Sequence, residues 1–99
     1  MLYAFICHDH PNSLQLRLQA RPEHLARLES LKQQGRLIIA GPHPAIDSED
    51  PGEAGFSGSL IVAEFDNLAT AQQWAAEDPY QKAGVYKKVS VKPFKKVLP

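Results

Sequence analysis

Apolar side chains along this chain fall into short runs, and the spacing within each run separates strands from helices. Leu2 to Cys7 (LYAFIC) is rich in aromatic and branched side chains and predicts a first strand. Asp9-His10-Pro11-Asn12 breaks it. Ser13 to Ala20 is ambiguous: Leu14, Leu16 and Leu18 alternate as in a strand, yet leucine and glutamine favour helix. It reads as a connecting segment holding a helical turn or two. Pro22 then suits a first helical position, Glu23 suits the positive helix start, and Leu25, Leu28 and Leu31 recur at helical spacing up to a Gly35 stop. Leu37 to Ala40 predicts a second strand closed by Gly41-Pro42. His43 to Phe56 is turn chemistry and reads as a mobile connection. Ser59 to Phe65 predicts strand three. Asp66 or Asn67 caps a second helix that runs to about Glu77 and ends at Asp78-Pro79, and Val85 to Val97 predicts strand four, with Pro93 arguing for a sheet edge.

The order β-α-β-β-α-β predicts a ferredoxin-like α+β fold over a single domain, residues 1–99: a four-stranded antiparallel sheet with two helices on one face. The two faces of the strands are then informative. Ile61, Ala63 and Phe65 point one way and Leu60 and Val62 the other, while Tyr3 and Phe5 oppose Leu2, Ala4 and Ile6. A sheet with one wet face alternates apolar and polar, and these strands do not. The second face therefore expects a cover, most simply another copy of the chain in a homodimer or higher homo-oligomer.

Composition narrows the partners. Eleven basic against eleven acidic residues give a net charge of zero, which removes the global attraction of a dedicated nucleic-acid or anionic-membrane binder. Strand three also lacks the basic-Gly-aromatic pattern of RNA-recognition modules, so the six lysines from Lys82 to Lys96 read as a solvated edge and neither nucleic acid nor membrane is expected as partner. The single cysteine, Cys7, excludes an internal disulfide, and the absence of a leader or membrane-length apolar run fits a cytoplasmic domain. There is no Gly-rich phosphate loop and no cysteine cluster, so no cofactor is expected. His8 and His10 share a strand face, but no third ligand stands near them, and the expectation is no metal.

Three side chains carry candidate chemistry. His24 continues the Leu28/Leu31 stripe near a helix start, where the dipole opposes an imidazolium; it is either an inward neutral base or a partly exposed histidine without a task. Asp78 follows Ala71 and Ala75 at helical spacing, so it either projects from the apolar face at the negative end of the second helix or simply stops that helix. Ser59 after Gly58 either donates to a substrate oxygen or is a plain strand-edge serine. Arg17 and Arg21 either offer a grip for a carboxylate or are simply solvated, and Tyr80 either walls a pocket or packs against Trp74.

The ordered set Arg17…Arg21-Pro22-Glu23-His24-Leu25, Gly35-Arg36-Leu37, Ala40-Gly41-Pro42, Gly58-Ser59-Leu60 and Asp78-Pro79-Tyr80…Gly84-Val85 resembles the YciI-like family of the dimeric α+β barrel superfamily, over nearly the whole chain. The resemblance implies a dimer and a pocket centred on His24 and Asp78 as catalytic pair. Ser59, Arg21, Arg17, Gly41, Pro42 and Tyr80 would surround a small-molecule ligand. The function it implies is acid–base chemistry of lyase or isomerase type on a small organic acid or lactone. The rival is a non-catalytic ligand-binding or regulatory dimer with the same pocket.

Overall fold

The computed structural model describes residues 1–99. Strands β1 (Leu2–Asp9), β2 (Leu37–Pro44), β3 (Phe56–Glu64) and β4 (Tyr86–Phe94) form one antiparallel sheet in the order β2-β3-β1-β4. Helices α1 (Leu14–Gln33), α2 (Leu68–Ala76) and α3 (Pro79–Lys82) pack on one face of it. This is the expected ferredoxin-like α+β architecture, with one additional short helix.

The register sorts the side chains. Tyr3, Phe5 and Cys7 of β1 stand opposite Ala63, Ile61 and Ser59 of β3, and all six are buried beneath the helices. Leu28 and Leu31 of α1 and Ala71 and Ala75 of α2 close over them. Phe5, Phe65 and Trp74 meet edge-on or tilted, with centroids 5.2–5.5 Å apart. Trp74 is thus core. On the other face Ala4 and Val62 are nearly covered by their own neighbours, but Ile39 is 58% exposed and Phe94 42% exposed. That face remains apolar at its centre, with Lys88 and Lys92 along β4.

Strand ends differ from the sequence reading by two or three residues, β1 running to Asp9, β3 starting at Phe56 and β4 ending at Phe94, and three further departures have a local reason. First, α1 begins at Leu14, so Ser13–Ala20 is not a connecting segment and Pro22 lies inside the helix. The buried stripe of α1 is Arg17, His24, Leu28 and Leu31. Its first member is a cation, which hides the helical period from an apolar count. Second, β2 continues through Gly41, Pro42 and His43 to Pro44, so Gly41-Pro42 extends the strand instead of closing it. Pro42 and Pro44 are tolerated because β2 is an edge strand. The connection to β3 shrinks accordingly and holds a single 3₁₀ turn, Gly52–Ala54. Third, Asp78 does not merely end α2. It is the N-cap of α3, with Pro79 at the first helical position.

At Gly58 a Cβ would collide with the carbonyl oxygen of Cys7, so only glycine lets β1 and β3 approach this closely. The tight spot adjoins a bulge between His8 and Asp9 that shifts the β1–β4 register.

Candidate active site

A cavity of about 450 Å³ opens between α1 and the β2–β3 side of the sheet. Arg17, Arg21 and His24 come from α1, Gly41 and Pro42 from β2, Ser59 and Ile61 from β3, and Tyr80 from α3. Of the eight residues singled out in the sequence, seven line this one space. The eighth, Asp78, sits behind His24.

His24 is 6% exposed, and its Nδ1 lies 2.9 Å from Asp78 Oδ1. The same Oδ1 accepts from the Tyr80 backbone N–H at 2.8 Å. Asp78 therefore stands at the positive end of a helix turn, where a carboxylate is favoured, and not at the negative end of α2 alone. With Nδ1 engaged by a carboxylate, the histidine donates there, and Nε2 is the nitrogen left for a ligand. Tyr80 stacks on the imidazole at 3.8 Å with the rings 9° from parallel, so it fixes the ring plane and does not pack against Trp74 as its main contact. Burial, outweighing the nearby arginines, raises the Tyr80 hydroxyl above the usual phenol range.

Arg17 is buried rather than solvated. Its Nε and Nη2 reach Asp9 at 2.6 and 3.3 Å, and Nη2 also donates to the Gly58 carbonyl at 2.7 Å and to Ser59 Oγ at 2.8 Å. The guanidinium lies 5.3 Å from the Phe56 ring centroid and 4.9 Å from that of Tyr80. Arg21, one turn along, is exposed at the cavity rim. Asp9 and Phe56 are the site residues that the sequence did not disclose. Asp9 stands in a run of strand-breaking residues, but β1 extends to it and the alternation through Tyr3, Phe5 and Cys7 carries its side chain to the same inward face; Phe56 falls in a segment dominated by turn chemistry.

Beneath the cavity, Cys7 and Tyr86 are buried. Burial pushes the Cys7 thiol up to about 12, which leaves it a protonated hydrophobe at neutral pH. Burial likewise pushes the Tyr86 hydroxyl upward. His8 and His10 are both exposed, and no three metal-ligating side chains converge anywhere in the chain. No helix is long and apolar enough to cross a membrane.

Comparison with solved structures places the fold among the dimeric α+β barrels. The 5-chloro-2-hydroxyhydroquinone dehydrochlorinase of Burkholderia phenoliruptrix, solved with 2,5-dihydroxybenzoquinone, superposes with a TM-score of 0.84 at 28% identity over 96% of this chain and 94% of that one. An antibiotic biosynthesis monooxygenase shares the fold at a TM-score of 0.52 and 13% identity, over 99% of this chain and 100% of that one. The profile of the YCII-related domain matches residues 1–95, and the chain belongs to that family. Protein YciI of Escherichia coli O6:H1 is 60% identical over 99% of this chain and its own full length, and a protein of Haemophilus influenzae is 57% identical over the same shares.

Proposed function

We propose that this chain forms a small dimeric enzyme that moves a proton on a small organic acid or lactone, in lyase or isomerase chemistry. The observation that carries the reading is the buried His24–Asp78 contact of 2.9 Å at the wall of a ring-sized cavity. His24 Nε2 takes a proton from a ligand carbon beside a carbonyl. The electron pair moves onto the carbonyl oxygen, and the imidazolium that forms is stabilised by Asp78. Return of the proton at another carbon completes an isomerisation; departure of a leaving group completes an elimination. Arg21 at the rim and the donors of Ser59 and Arg17 meet the negative oxygen, while Gly41, Pro42 and Tyr80 shape the walls. Dehydrochlorination, the reaction in the name of the structural neighbour, is an elimination of this kind.

A second copy is proposed on the open sheet face, where Ile39 and Phe94 otherwise leave a broad apolar surface in water.

Deuterium uptake tests the proton transfer. In deuterated buffer with 2,5-dihydroxybenzoquinone as probe, the protein is expected to speed exchange of the ring hydrogens, His24 delivering a deuteron to the enolic ring carbon and then removing the proton from the CHD group this creates beside the carbonyl. His24→Asn should remove the acceleration, by a factor of about 100 or more for a positioned base. Equal exchange rates in the two proteins would leave a binding module with the same cavity as the better description.

A further inference from the structure

We propose that Asp9 is a positioning residue which, through Arg17, builds a two-donor seat for an ionised ring oxygen, a phenolate or an enolate. The proposal rests on the acid–base reading above and specifies the form in which the ligand is held.

The Asp9 side chain is 1% exposed and grips one edge of the guanidinium through Nε and Nη2. Arg17 Nη2 is then shared among Asp9, the Gly58 carbonyl and Ser59 Oγ. Nη1 has no partner within the chain, and Arg17 lines the cavity. A guanidinium only donates, so Ser59 Oγ is the acceptor in their contact and the serine keeps its own proton for another partner. Ser59 lines the same cavity. Nη1–H and Oγ–H, from residues already bonded to each other, can both be directed into one space, the Oγ–H in competition with the buried Tyr86 hydroxyl beside it and the guanidinium with that of Tyr80. With a cation on its oxygen and no base bonded to it, Ser59 is a donor and not a nucleophile.

The surroundings define the ligand. The cavity wall holds Arg17 and Arg21 and no carboxylate, since Asp9 and Asp78 both lie behind it. The imidazole stacked on Tyr80, together with Phe56 and Ile61, offers flat apolar surface suited to a ring. An anionic oxygen carried on a ring satisfies both.

Counterion and positioning roles for Asp9 give opposite signs. If Asp9 only neutralises Arg17, Asp9→Asn leaves the cavity more positive and tightens anion binding. If Asp9 aims the fork, the same change loosens it. The probe is 4-nitrophenol, whose phenolate is yellow, with nitrobenzene as the ring without an ionisable oxygen. The wild-type protein is expected to bind the phenolate in preference to the phenol and to nitrobenzene. Asp9→Asn should weaken the phenolate by about tenfold, as for one lost charge-assisted hydrogen bond, and leave nitrobenzene unchanged. Should Asp9→Asn not fold, Ser59→Ala and Arg17→Lys decide: the first removes the hydroxyl donor, the second keeps the charge without the planar fork, and each should show the same selective loss. Unchanged or tighter phenolate binding in a folded variant overturns the proposal, as does a wild-type protein that prefers nitrobenzene. Phenolate binding needs no proton transfer, so selective binding without deuterium exchange would remove the acid–base reading alone.

Discussion

Replacing Asp78 separates its two duties, because one oxygen performs both. Oδ1 accepts from His24 Nδ1 at 2.9 Å and from the Tyr80 N–H at 2.8 Å, with the residue 3% exposed. Asp78→Asn keeps an oxygen at that place but removes the charge. Hydrogen bonds to charged groups contribute about 1.5–3 kcal/mol and neutral ones about 0.5–1.5, so two of them lose about 2 kcal/mol together. Relief from burying a carboxylate offsets part of this, and a net loss of about 1–2 kcal/mol is expected. Asp78→Ala leaves two buried N–H groups without partners, each worth about 1–3 kcal/mol, and should lose about 3–4 kcal/mol. Urea unfolding followed by fluorescence of the single tryptophan, Trp74, measures both. Protomer concentration must be equal across variants, since association adds to apparent stability. The expected order is wild type, then Asn, then Ala. An Asp78→Asn protein as stable as wild type, or more so, refutes the cap at α3 and restores the carboxylate to the negative end of α2 suggested by sequence alone.

Other changes probe the framework. Gly58→Ala must part β1 from β3 at the Cys7 carbonyl, so a loss of more than about 3 kcal/mol in the same unfolding assay is expected, as for other severe overpacking. The Cys7 thiol should resist thiol reagents until the chain unfolds. Its ionisation is raised by burial from 9.0 to about 12, so the stability it contributes is complete below pH 9.0 and falls as pH rises toward 12, an alkaline loss that denaturation at stepped pH will detect. Ile39→Glu places a charge on the open sheet face, and sedimentation should shift from about twice 11.0 kDa to 11.0 kDa if that face pairs with a second copy.

The order of strands along the chain and the two side-chain sets on β1 and β3 were legible, because runs of aromatic and branched residues mark the strands and successive side chains point to opposite faces; which set is inward was not, since both are apolar. Helix α1 was legible only in its second half. Its buried stripe opens with Arg17, a side chain that a hydrophobic count assigns to solvent, and Pro22 inside the helix mimics a start signal. Asp78-Pro79 carried two messages, a stop for α2 and a cap followed by proline for α3, and the first masks the second. His24 and Asp78 could be named from spacing and resemblance. Their contact joins residues 54 apart in sequence, however, and depends on α3, an element of four residues too short to declare itself by periodicity. Asp9 was hidden for a different reason: the sequence ends the first strand at Cys7, whereas β1 runs on to Asp9, where the alternation through Tyr3, Phe5 and Cys7 still points inward.

Arg17 and His24 lie about two turns apart on α1, and each is tied by directional polar bonds to a different part of the chain, the β1–β3 end on one side and the α2–α3 junction on the other. A helix seated only on apolar contacts can slide or roll a little against a sheet, because such contacts exchange partners at small energetic cost. Two latches of fixed geometry forbid that shear. A molecule entering the cavity therefore cannot be admitted by displacement of α1. Entry falls to the exposed rim side chains Leu18, Arg21 and Leu25, whose rotamers change in picoseconds to nanoseconds. Exchange of a bound molecule is then expected to follow the motion of these rim side chains and not that of α1.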